Sequence, residues 1–154
     1  MERLDVTVRQ ATADDHSMLF LLAEENLHPL AERAGHPERF DGAGFLAMLA
    51  HAEVYVAENP VHEIAGYVAF DDEGDDVAVR CVCVSPAHEA QAVANRLVDW
   101  VEGLAFNRGR QRLTAFVPAD DETSLRLYRR HDFTTWPAED RPEMVVLEKR
   151  LPEG

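Results

Sequence analysis

From Val77 to Val84 the chain is apolar at every position except Arg80. A nearly continuous run of this kind reads as a central strand buried within a sheet. Ser85 and Pro86 follow it. Serine is a good N-cap and proline suits the first helical position, so a helix should start there. Ala90, Val93, Ala94, Leu97, Val98, Val101, Leu104 and Ala105 recur at helical spacing and form one apolar face. Asn107 and Arg108 end that helix, with Gly109 as its C-cap. Arg112 to Val117 reads as the next strand. A buried strand joined through an amphipathic helix to another strand calls for layered α/β packing.

The flanking segments extend this pattern. Leu4 to Arg9 alternates apolar and polar residues, as a strand does. Thr12 to Asp15 resembles a capping box with an acid in the glutamate place. Leu19, Leu22, Ala23, Leu27, Leu30 and Ala34 predict a helix behind it, which Pro29 kinks or divides and Gly35 to Pro37 ends. Asp41 caps a short second helix that buries Phe45, Leu46 and Leu49. Glu53 to Glu58 and Ile64 to Phe70 read as strands, with Gly66 marking a bulge. Asp71 to Asp76 is an acidic turn, and Pro118 to Asp121 is a loop. Glu122 to His131 is a short helix with Leu125 and Tyr128 on one side. Phe133 to Trp136 and Met144 to Leu147 are the last strands. The order is β-α-α-β-β-β-α-β-α-β-β, without repeat or linker. The expectation is one α/β (α+β) domain over residues 1–154, a mixed sheet of six to seven strands flanked by about four helices.

Charge narrows the function. Lys and Arg number 15 against 29 Asp and Glu, a net charge of -14. Nucleic-acid binding depends on clustered cations, so it is not expected, and neither is an anionic membrane surface. A cationic partner or an amine substrate would be drawn to this field. Lys149 is the only lysine. A salt-rich cytoplasm, hence a halophilic source, or a GC-rich genome would each give that bias. A plain solvated surface is the third reading. No apolar run is long enough to span a bilayer, and the first ten residues lack the apolar centre of a secretory signal, so the protein is read as cytoplasmic. Cys81 and Cys83 share one side of a strand and read as small buried hydrophobes, neither a disulfide nor a zinc pair. The histidines have no ligand spacing, so no metal is expected.

Three segments together resemble the Gcn5-related N-acetyltransferase (GNAT) family across nearly the whole chain. Residues 82 to 97, VCVSPAHEAQAVANRL, are similar to the family's fourth strand, loop and third helix, V-x-P-x-x-R-G-x-G-I-G-x-x-L. Residues 124 to 133, from Ser124 through Tyr128 to Phe133, are similar to A-x-x-L-Y-x-x-x-G-F. Met144 to Leu151 resembles the family's last strand. The resemblance implies an N-acetyltransferase that moves an acetyl group from acetyl-CoA to the amine of a small molecule or protein, by direct attack in a ternary complex. It implies a splayed strand at Val82, Cys83 and Val84 to hold the pantetheine arm. It places a phosphate loop at Glu89, Ala90, Gln91, Ala92, Val93, Ala94 and Asn95, puts Asp121 where the family often has asparagine, and makes Tyr128 the acid for the leaving thiolate. Tyr128 also reads as a core tyrosine, and both can hold. A homodimer is compatible with this reading.

The phosphate loop departs from the family's Q/R-x-x-G-x-G/A. Only Ala94 fits, with Glu89 in the Gln/Arg place and Ala92 in the glycine place. Glycine lets backbone approach phosphate and adopts positive φ cheaply, and alanine does neither. Glu89 would compete with pyrophosphate for N–H groups at a helix start. Asp132 replaces the glycine before Phe133. Arg96, Arg126, Arg129 and Arg130 are either solvated or supply charge to a nucleotide. Asp75, Asp76 and Glu58 are candidate bases near strand ends, and His88 and His131 read as surface residues. A rival therefore stands beside the enzyme: a non-catalytic GNAT-fold binding or regulatory module without acetyl-CoA phosphate binding.

Overall fold

The structure, a computed structural model, describes residues 6–33, 47, 50–85 and 90–152. In chain order they form β1 (Thr7–Gln10), a 3-10 turn (Ala13–Asp15), α1 (His16–Arg33), β2 (Glu53–Glu58), β3 (Ile64–Asp72) and β4 (Asp76–Val84). Then come α2 (Ala90–Asn107), β5 (Arg112–Pro118), α3 (Glu122–Arg130), β6 (Thr134–Pro137) and β7 (Met144–Arg150). Three α-helices are present among the described residues, against about four expected. The helix expected from Asp41 lies largely outside them, as does the strand start at Leu4.

The strands make one seven-stranded sheet in the order β1-β2-β3-β4-β5-β7-β6. All neighbours are antiparallel except β4 and β5. A parallel pair needs a long crossover, which α2 supplies. The last strand slips between β5 and β6. The fold is thus the mixed α/β sheet expected from the element order.

Each sheet face has its own core. Val93, Leu97, Val98, Val101 and Ala105 of α2 cover Val68, Phe70, Val77, Val79, Leu113 and Ala115. Ala90, expected on that face, is exposed. On the other side Leu19, Leu22 and Ala23 of α1 cover Val54, Val56, Tyr67, Ala69, Cys81 and Cys83. Each fully buried Val or Leu contributes about 1.5–3 kcal/mol. The two cysteines are free thiols on the α1 side, as their spacing predicted.

β4 departs from its expected burial on both faces. Only alternate residues are fully buried, and Arg80 is exposed. The pairing with β3 shows why. Ala69 pairs with Cys81 but Phe70 with Val79, so Arg80 is an extra residue, a bulge. Side chains change faces across it: Val77 and Val79 join the α2 core, Cys81 and Cys83 the α1 core. A second irregularity skips Ala65 beside Gly66, where the sequence predicted one.

The ends are tied by ion pairs. The capping box at Thr12 and Asp15 forms, and Arg9 reaches both Asp15 (2.9 Å) and Glu58 (3.0 Å), tying β1, the 3-10 turn and β2 together. At the acidic turn, Arg108 bridges Glu53 (2.7 Å) and Asp72 (2.8 Å), and Arg110 also bonds Asp72 (2.8 Å). Hydrogen bonding to Arg9, and then to the Thr12 backbone, holds the Asp15 carboxyl down at about 2 against burial. A depressed carboxylate adds stability above its unfolded value of about 3.9 and loses it as pH falls through its folded value. Urea titrations should therefore show stability falling between about pH 4 and 2, and Asp15→Asn should flatten part of that slope. Equal slopes for the two proteins would refute the assignment.

Candidate active site

β4 and β5 pair over a short stretch, from Asp76 with Arg112 to Val79 with Ala115. The bulge at Arg80 bends β4 immediately afterwards. Beyond it, β5 continues to Pro118 alongside β7, and β4 continues to Val84 alongside β3. Neither pairs with the other, so the sheet opens into a gap. An open sheet edge presents backbone N–H and C=O groups without ladder partners, a template for an extended ligand. Val82, Cys83 and Val84 lie on the β4 bank. Phe116, Val117 and Pro118 form the other.

Gly66 holds the closed side of this bank. A Cβ there would meet the Cys83 carbonyl at 2.8 Å, Val93 Cγ1 at 3.1 Å and Val84 Cα at 3.3 Å. The missing side chain lets β3, β4 and the head of α2 meet. The Ser85 N–H donates to the Ala65 carbonyl (2.8 Å), fixing the exit of β4.

Tyr128 of α3 is buried in the core beside these strands. It is 3% exposed and belongs to the cluster that contains Val117 and against which Val82 and Val84 pack. Its ring meets Phe133 edge-on at 5.1 Å. Among the described residues its hydroxyl has no hydrogen-bond partner. Burial, with smaller contributions from Cys81, Cys83 and Asp121, raises its pKa above that of an ordinary phenol. It is therefore a protonated donor at neutral pH. The core reading holds: Tyr128 is a buried core residue. Asp121 is the buried N-cap of the same helix and accepts from the Ser124 N–H (3.1 Å), so its carboxylate is engaged in positioning α3.

The candidate phosphate-binding residues divide. Glu89, His88 and the expected helix start at Pro86 lie outside the described residues. Ala90 and Gln91 are exposed in the first described turn of α2, and Ala92 is half-buried. Val93 and Ala94 point into the core, so only their backbone is open to a ligand role. The Gln91 amide, with its oxygen toward α3, accepts from the Arg130 guanidinium. Arg130 thus sits at the head of α2. Arg129 donates to Thr135 (3.4 Å), and Arg96 and Arg126 are exposed.

Asn95 is engaged elsewhere. Its side-chain oxygen meets His131 Nε2 at 2.9 Å, and His131 Nδ1 meets Asp99 at 3.2 Å. His131, read as a surface residue, is a 10% exposed clasp between α2 and α3. Sequence could not find it, because its partners lie on a different helix. Asp99, Glu102 and His131 also form a cluster with metal-ligating atoms, although Glu102 is already held by Lys149 (2.5 Å).

Of the candidate bases, Asp75 and Asp76 are far from the gap, whereas the register puts Glu58 near the Val84 end of the sheet, two strands away. Asp75 and Asp76 stand at the opposite end of β4, where Asp76 pairs with Arg112 (2.6 Å) in a shallow cleft with Gln111 and Arg150. Glu58 is committed to Arg9 and His62, and its hydrogen bond from Arg9 lowers its pKa. A second, open depression follows Arg96, Trp100 and Arg108 along α2. Among the described residues no helix is long and apolar enough to cross a membrane.

Comparison with known proteins agrees with this geometry. Residues 16–133 match the family model described as the acetyltransferase (GNAT) family. Among solved structures, Ard1 from Thermoplasma volcanium aligns at 14% identity and TM-score 0.76, covering 97% of this chain and 100% of that one. The ribosomal-protein-S18-alanine N-acetyltransferase from Escherichia coli aligns at 13% identity and TM-score 0.76, covering 97% and 96%. A GNAT family acetyltransferase from Elizabethkingia anophelis with acetyl-CoA bound aligns at 16% identity and TM-score 0.72, covering 97% and 100%.

The role of Gly66 is testable. Gly66→Ala should destabilise the protein by about 1–3 kcal/mol, because the methyl group meets backbone rather than a movable side chain. Gly103→Ala in α2, where a Cβ meets nothing within 4 Å, is the control and should be neutral or stabilising. Urea midpoints of the two variants decide it: equal midpoints would mean that β3 and β4 tolerate separation at the gap.

Proposed function

The chain belongs to the acetyltransferase (GNAT) family, and on that premise we propose that it is an N-acetyltransferase using acetyl-CoA to acetylate an amine in a ternary complex. The observation that carries this reading is the gap between β4 and β5, with Tyr128 buried in the cluster against which Val82 and Val84 pack and, among the described residues, no hydrogen-bond partner for its hydroxyl.

The parts fit the substrate. An extended pantetheine arm would lie along β4 at Val82, Cys83 and Val84. The diphosphate would lie at the head of α2, near the backbone of Ala90 to Val93 and the Arg130 guanidinium. The amine nitrogen attacks the thioester carbonyl carbon, a C–N bond forms and the C–S bond breaks. The departing thiolate takes the Tyr128 proton, and the proton lost by the amine returns to solvent and restores the phenol. A phenol kept protonated by burial is matched to this task, since a thiolate needs only a weak acid.

The rival reading, a GNAT-fold module without catalysis, has one observation on its side. Residues 90–94 lie in regular helix without a glycine, and Val93 and Ala94 are core residues. Calorimetric titration of acetyl-CoA, repeated at high salt, separates the two. The enzyme reading expects micromolar dissociation. It also expects Tyr128→Phe to lower kcat by about 10²-fold or more with acetyl-CoA affinity unchanged. Absence of binding in both buffers would leave only the module.

A further inference from the structure

Beyond the gap, the far half of the sheet has one bare face. Leu113, Ala115, Val117 and Leu147 point into the α2 core, so the alternate residues of β5 and β7 point the other way. On that other face α1 covers only the β2–β4 region, and among the described residues no helix covers β5, β7 and β6. The register lines up Phe116, Val146 and Trp136 in one row, because Phe116 and Trp136 both pair with Val146. Pro118 and Met144 pair one step further along the same face. Phe116 is 43% exposed and Trp136 is 54% exposed. These are large rings left in water in one row running from β5 to the edge strand β6, not scattered singles.

The row begins at the gap. Phe116 and Pro118 belong to the half of β5 that has left β4. A molecule whose nitrogen reaches a thioester held along β4 would lay its body across Phe116, Val146 and Trp136. Three neighbouring strands span roughly 10 Å, the length of an arylalkyl group. The Arg141 guanidinium lies over the Phe116 ring, 5.9 Å from its centroid, and the ring is still 43% exposed. The net charge of -14 attracts ammonium ions at long range, while the row itself offers apolar contact.

We propose that the acceptor is a small primary amine with an aromatic or branched apolar body, seated on Phe116, Val146 and Trp136. This rests on the acetyltransferase reading above and names its substrate class.

The experiment uses the intact protein with acetyl-CoA and follows free thiol release. Phenylethylamine, tryptamine and isoamylamine are compared with ethanolamine, putrescine and a polar-headed peptide. The apolar amines should show kcat/KM at least tenfold higher. Trp136→Ala should raise KM for them about tenfold with kcat and acetyl-CoA affinity little changed, Phe116→Ala should raise KM likewise, and Trp136→Phe should restore most of the loss. Both rings are partly exposed, so the variants should fold. Equal or better turnover of the polar amines or the peptide would overturn the proposal while leaving the acetyltransferase reading standing, as would variants with unaltered KM. Failure to bind acetyl-CoA in calorimetry would overturn the reading beneath it and this proposal together.

Discussion

One extra residue in β4 governs the architecture of the site. Up to Val79 the strand belongs to a continuous sheet, with β3 on one edge and β5 on the other. At Arg80 the bulge spends a residue without a partner, turns the strand and reverses its faces. The gap, the exposure of the β4 edge and the move of Cys81 and Cys83 to the α1 side all follow from it. Arg80 itself carries no catalytic burden. It points outward and pairs with Asp71 across the same hairpin, which keeps the bulged residue in water.

Around that opening, packing does the positioning. Gly66 removes the one side chain that would hold β3 and β4 apart, and Asp121 seats α3 through its cap. Tyr128 then lies buried in a cluster with Val117 and Phe133. The His131 clasp to Asn95 and Asp99 ties the end of α3 to α2 from the other side. The second helix turn of α2 and the last turn of α3 are thus one unit, with Gln91 and Arg130 at its exposed end.

Much of this was legible in the residues. The apolar run Val77 to Val84 located the central strand, Thr12 to Asp15 the capping box, and Gly66 the irregularity beside it. The positive φ of Gly109 (74°) agrees with its reading as a C-cap. Asp132 shows the other side of the same logic. It takes φ 67° where a glycine would be natural, and its carboxylate chemistry makes aspartate one of the few residues that tolerate this. What could not be read was tertiary. The bulge left only one mark, a polar residue inside an apolar run, which reads equally well as a solvent-facing position. The placement of Asp75 and Asp76 at the wrong end of β4 depended on which end of the sheet opens. The clasp of His131 depended on a helix far away in sequence.

The banks of the gap come from opposite sides of a long excursion. One ends at Val84, the other begins at Arg112, and the second is zipped in place by β7, the last strand in the chain. No local segment contains the site, and loop closure must precede any contact across it. On a ribosome, β4 and α2 would emerge and pack with the opening still half-built. The cleft becomes a cleft only when Met144–Arg150 pairs between β5 and β6, so it forms in one step rather than growing with the chain.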